Sequence, residues 1–207
     1  MEATMQKAHV TSLINRLKLV ILSPKECWNT IANENESQSS ILTRTVIPVV
    51  VVGAVCTIVG LQVFGVSMGD LGTWRPPLVS FTLSTIVMSV FQLLFLYIGA
   101  FLVQKLAPLF QGQASPSQAF SLVAHATLPG LFASVLTIYP PLGMFGIVLG
   151  IVSLYALYQG TSKMTSVAEN KRLAFTAAFI ASMILVSLVM GVLSSFFVSS
   201  PTPGNLG

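Results

Sequence analysis

The stretch VIPVVVVGAVCTIVGLQVFGV, Val46–Val66, contains no Asp, Glu, Lys or Arg. It is as long as the roughly 20 apolar residues that cross a bilayer core as one helix. Four further runs share the property: Leu78–Val103, Ala119–Tyr139, Leu142–Tyr158 and Leu173–Val198. A charge at the bilayer centre is costly, so its exclusion from five long runs is the pattern of a membrane protein. The reading is an all-α polytopic fold: a bundle of five transmembrane helices preceded by a short amphipathic N-terminal helical region.

Composition agrees. Of 207 residues, 54% are hydrophobic and 8% charged, against roughly 25% charged in soluble domains. Mean hydropathy is +0.84. One membrane domain is expected at residues 41–200, with an interfacial, cytoplasmic region at 1–40 and a tail at 201–207. The net charge of +4 sits in short segments flanking the apolar runs. That distribution fits topology signals and contact with anionic lipids, not a nucleic-acid surface. Met1–Val10 has no apolar stretch followed by a small-residue cleavage site, so no cleaved signal peptide is read there.

Orientation follows from lysine and arginine. With a cytoplasmic N-terminus, that side holds Lys7, Arg16, Lys18, Lys25, Arg44, Lys105, Lys163, Lys171 and Arg172, and the other holds Arg75 alone. The positive-inside rule favours this arrangement. Five spans then place the C-terminus outside the cytoplasm.

Outside the spans, Val10, Leu13, Ile14, Leu17, Val20 and Ile21 follow helical spacing, with Asn15, Arg16 and Lys18 between them. Such a helix lies on a surface, with Arg16 and Lys18 towards lipid phosphates. Ser23-Pro24-Lys25-Glu26 reads as a capping box opening a second short helix, with Leu22 stapled onto Cys27. Trp28 and Ile31 give this helix an apolar side suited to the interface. Asn33–Ser40 reads as a linker. Trp74, between the first two spans, fits an aromatic belt. Ser115-Pro116-Ser117-Gln118 and Ser166-Val167-Ala168-Glu169 read as two further capping boxes. The fourth run is short for a span, with Tyr155 and Tyr158 at its far interface and Gly160 as a stop. Cys27 and Cys56 fall at different membrane levels, which argues against a disulfide.

Few groups in the spans can carry chemistry. His125 is the one imidazole there, with no carboxylate in the hydrophobic zone. An intramembrane ionisable group is a functional candidate by default. Without an acid or second ligand it makes no metal site or proton relay, and a neutral ring bonded to a carbonyl or serine is expected. Pro129 removes a backbone donor four residues on, and with Gly130 should kink or break the third span. Broken helices can line a cavity. His125, Pro129, Gly130, Gln62 and Gln92 are therefore the candidate cavity or polar core. Glutamines also join helices by hydrogen bonds. Gly143, Gly146 and Gly150 form the candidate packing face of span four, through Gly146-x-x-x-Gly150. No phosphate-binding loop, dinucleotide motif, zinc spacing or nucleophile–base pair occurs. The expectation is a non-enzyme with no cofactor and no metal.

Read in order, these segments resemble the Yip1 family in its bacterial form. The resemblance rests on Ile21–Ala32 (ILSPKECWNTIA), an entry motif carrying Pro24 and Trp28. It rests also on Ile151–Gly160 (IVSLYALYQG), a tyrosine-rich helix end with Tyr155, Tyr158 and Gly160. The five-span layout, the Pro-Gly of span three and the long last helix add to it, over roughly residues 18 to 200. The resemblance implies a cytosolic N-terminus and, for bacterial members, a cytoplasmic-membrane protein of unassigned role. Eukaryotic members associate with Rab-type GTPases and one another in vesicle traffic. This chain lacks their long N-terminal region and their Asp-Leu-Tyr-Gly-Pro motif; Asp70-Leu71-Gly72 follows span one. GTPase association is therefore not carried over. The functional expectation is a membrane-organising or partner-binding protein, its partners being lipids, a second copy or another membrane protein. The alternative is a small transporter or channel-like protein with a cavity at the broken third span.

Overall fold

The computed structural model describes Leu19, Pro24–Glu34 and residues 36–195. The surface helix read at Val10–Leu22, with Arg16 and Lys18, the cap at Ser23, the Leu22 staple and the tail at 201–207 lie outside the described residues.

Helix α1, Pro24–Glu34, precedes the bundle. α2 runs over Gln38–Val63. It starts inside the stretch read as a linker, because the Ser37 hydroxyl accepts the Ser40 N–H and caps it. Leu42–Val46 widens into a π turn just before Pro48. A proline without an N–H cannot complete the preceding turn, and a wide turn is the usual accommodation.

α2 ends at Val63, and Gly65 turns the chain at φ 69°. Strands β1, Val66–Ser67, and β2, Thr73–Trp74, pair antiparallel with Val66 opposite Trp74. Arg75 donates to the carbonyls of Gln62 (3.1 Å) and Val63 (3.2 Å), placing a cation on the last turn of α2. The Gln62 amide donates to the Pro76 carbonyl at 2.8 Å.

α3, Leu78–Leu106, continues as a 3-10 turn to Phe110. α4, Pro116–Leu136, opens on the capping box read at Ser115 and Gln118. α5, Phe145–Thr165, follows a 3-10 turn at Pro140–Met144, and α6 covers Arg172–Ser195. With their flanking turns, α2 to α6 are five helices long and apolar enough to cross a membrane. The chain is an integral membrane protein with an all-α bundle.

α4 is the centre. Sixty-one per cent of its most apolar window is buried, against 11–33% for the other four. Ala119, Ala124 and Ala126 let neighbours approach, while Phe120, Leu122 and Leu128 fill the interior. α2, α3 and α5 pack around it, and α6 closes against α3 and α5. Lipid is as apolar as the core, so close packing and hydrogen bonds hold such a bundle together.

Three readings of these helices need correction. α4 is not broken at Pro129: one helix continues through it, and the Gly130 N–H donates across to Ser153 Oγ of α5 at 3.0 Å. Neighbouring hydroxyls re-satisfy backbone loosened by proline in membrane helices. α5 does not stop at Gly160 but runs to Thr165, so the short fourth span is a full-length one. Ser166 opens no helix. It sits in the left-handed region at φ 52° as the C-cap of α5, and the next turn begins from Ala168.

Candidate functional site

Helix α1 packs its apolar side against the bundle. It is locked into the bundle through Trp28, which is 1% exposed. The Trp28 indole N–H donates to the Ala156 carbonyl of α5 at 2.9 Å. The glycine at 160 leaves room beside it. A Cβ at Gly160 would stand 2.5 Å from Trp28 Cε2 and 2.6 Å from Leu122 Cδ1. Thr161 Oγ1 instead turns inward onto the Leu157 carbonyl. Cys27 and Ile31 bury on the same side of α1. The apolar side that Trp28 and Ile31 give α1, which suits an interface, is instead buried in the bundle. The correction follows from Gly160, whose missing side chain forms the slot.

His125 lies behind this lock. Its ring is 1% exposed and meets the Trp28 ring edge-on at 6.4 Å. His125 Nδ1 is 2.9 Å from the Ser121 carbonyl and 3.3 Å from Ser121 Oγ, one turn back on α4. In the tautomer protonated at Nδ1, that nitrogen donates to the carbonyl. Among the described residues no three His, Cys, Asp or Glu side chains come together.

The other motif residues flank the lock on α5. The Gln159 amide donates to the Tyr155 hydroxyl at 2.8 Å. The Arg172 guanidinium stacks over Tyr158 at 4.0 Å and lies 3.8 Å from Glu169. Pro24 is the first residue of α1. Trp28 and Gly160 thus meet at the junction of α1 and α5, and Tyr158, two residues before Gly160, holds Arg172 at the start of α6.

A separate cavity of about 970 Å³ lies between α2, α3 and α6, roofed by Trp74, Pro76 and Pro77. Of the five residues grouped as a cavity or polar core, Gln92 alone lines it. His125, Pro129 and Gly130 lie in the packed centre, and Gln62 acts at one remove by holding Pro76. The sequence carried a signal for this wall. Ser80, Ser84, Met88 and Gln92 recur every fourth residue along one face of α3.

The small-residue contacts are also elsewhere than read. A Cβ at Gly150 would meet nothing within 4 Å, and those at Gly146 and Gly143 would make ordinary contacts at 3.5 and 3.9 Å. Besides Gly160, tight positions between helices are Gly53, against the Ser134 side chain, and Gly60, against the carbonyls of Thr137 and Ile138. Between them the Thr57 and Thr137 hydroxyls bond at 2.7 Å. These residues seat α2 on α4.

The family model for the Yip1 domain matches residues 18–191. No curated protein and no solved structure matches the chain.

Proposed function

The chain belongs to the Yip1 domain family, and from that premise we propose that it is a non-catalytic protein that organises the membrane or binds a partner within it. The observation that carries this reading is the state of His125. The imidazole is closed into the core, bonded to Ser121 and covered by Trp28. The group best suited to proton or substrate chemistry serves packing instead.

The interior hydroxyls behave alike. Those of Thr127, Thr161, Thr165 and Thr176 donate to carbonyls of their own helices. Side chains committed to the fold are poor nucleophiles and poor relays. The outer surface is open to interaction: α5 presents Ile147 and Ile151 at 74% and 63% exposure. The partners proposed are lipids and a second copy or another membrane protein, not nucleic acid. The nine-to-one charge split supports a cytoplasmic N-terminus in a bacterial cytoplasmic membrane. The transporter reading needed a broken third span opening at His125, and α4 is continuous there.

Crosslinking in native membranes, extraction in mild detergent and identification of bound proteins and lipids tests the proposal. A stoichiometric membrane partner or self-association is expected. Solute flux in proteoliposomes, with no partner recovered, would refute it.

A further inference from the structure

We propose that the cavity between α2, α3 and α6 is a binding site for a neutral, chain-like lipid carrying a hydroxyl or carbonyl that pairs with Gln92. The inference goes beyond the partner-binding reading and stands or falls separately from it.

Charge comes first. Among the described residues, no Asp, Glu, Lys, Arg or His lines the cavity. An ionised ligand would enter a low-dielectric space with no counter-charge, which costs several kcal/mol or more. The ligand is therefore uncharged.

Shape comes second. The lining of α3 extends from Ser80 to Phe95, about 23 Å of helix at 1.5 Å per residue. A volume of about 970 Å³ along that length admits an extended chain.

Polarity comes third. Val50, Phe81, Met88, Phe95 and Met190 make the walls largely apolar. Several hydroxyls there already donate to their own backbone: Thr85 to Phe81, Ser89 to Thr85, Ser187 to Ile184. Gln92 differs. It stands near the middle of α3, and its side-chain amide makes no hydrogen bond with the described residues. A primary amide offers two donors and an acceptor. At mid-depth in a membrane it discriminates in favour of a chain bearing one polar group over a plain hydrocarbon.

The test uses the full chain in phosphatidylcholine nanodiscs with a diazirine-bearing long-chain alcohol as probe. Photolabelling is expected at Met88, Phe95 and Met190, and excess unlabelled alcohol should suppress it. The matching alkane should compete about tenfold less well, the effect of one hydrogen bond, and the matching fatty carboxylate at least about a hundredfold less well, the effect of an unpaired charge. Gln92→Leu should erase the preference for alcohol over alkane. Ser84→Phe should block labelling, and Met88→Trp is the second blocking variant if the first fails to fold. Labelling confined to outward residues such as Val79, Leu83 and Ile86 would overturn the proposal. So would equal competition by alkane or carboxylate, or full labelling in a folded blocking variant.

Discussion

The Trp28 indole N–H reaches the Ala156 carbonyl at 2.9 Å, tying the helix before the bundle to the fourth membrane helix 128 residues later. The bond is possible because Gly160, one turn on, has no side chain to hold the ring away. Carbonyls of an α-helix are normally engaged within it, so this one accepts a second donor. The result is a fixed angle between α1 and the bundle, set by one aromatic ring and one missing methyl.

Gly160→Ala should therefore act on α1 before it acts on α5. The added Cβ would press on both Trp28 and Leu122, and overpacking of this kind costs about 1–3 kcal/mol. Cys27 is 2% exposed beside Trp28 and is not in a disulfide. Maleimide labelling of Cys27, in a Cys56→Ala background, should speed up by about tenfold or more, as an opening cost above 1.4 kcal/mol requires. Trp28→Phe should give a smaller effect, about 1 kcal/mol for the lost hydrogen bond. An unchanged labelling rate in Gly160→Ala would show that the ring does not hold α1 down.

Glycines on α2 and α5 should separate cleanly. Gly60→Ala drives a methyl into the carbonyls of Thr137 and Ile138, which belong to backbone and cannot swing aside. A loss of about 2 kcal/mol or more is expected. Gly150→Ala meets open space and should fall within about 0.5 kcal/mol of the parent. Thermal unfolding of the two variants in one detergent decides the matter. A Gly150 variant as damaging as the Gly60 one would point to a second copy packed on that face.

These contrasts show what the sequence could and could not say. Charge exclusion located all five spans, because it depends on composition along the chain and not on direction around the helix. Direction was hidden. α2, α3 and α4 are apolar on every side, so no periodic stripe marks which face meets protein. Gly146 and Gly150 match a packing motif yet make loose contact or none, while Gly53, Thr57 and Gly60 match it less and pack tightest. Ser115 and Ser166 carry the same capping pattern, and only Ser115 forms the box, since Ser166 is taken up in ending α5. Gln92 was legible as a polar residue, but its place in a cavity needed the Ser80, Ser84, Met88 stripe to be read with it.

The orientation proposed from charge has a direct check. A reporter active only in the cytoplasm should give a strong signal when fused after Met164 and none after Gly207. The reverse pattern would invert the proposed topology, and equal signals would deny that α6 crosses the membrane.

His125 supplies the sharpest test of the non-catalytic reading. Its Nδ1 sits 2.9 Å from the Ser121 carbonyl, and its ring packs against Trp28. An asparagine can place an amide donor near the same carbonyl, so His125→Asn should fold with a loss below about 1 kcal/mol. His125→Leu keeps the bulk and loses the polar pairing, and should cost about 1 kcal/mol. It should also loosen Trp28, seen as faster maleimide labelling at Cys27. If the imidazole serves only the fold, recovery of membrane partners by crosslinking should track folded abundance in both variants. A His125→Asn protein that unfolds like the parent yet recovers no partner would assign the ring a role that packing does not explain.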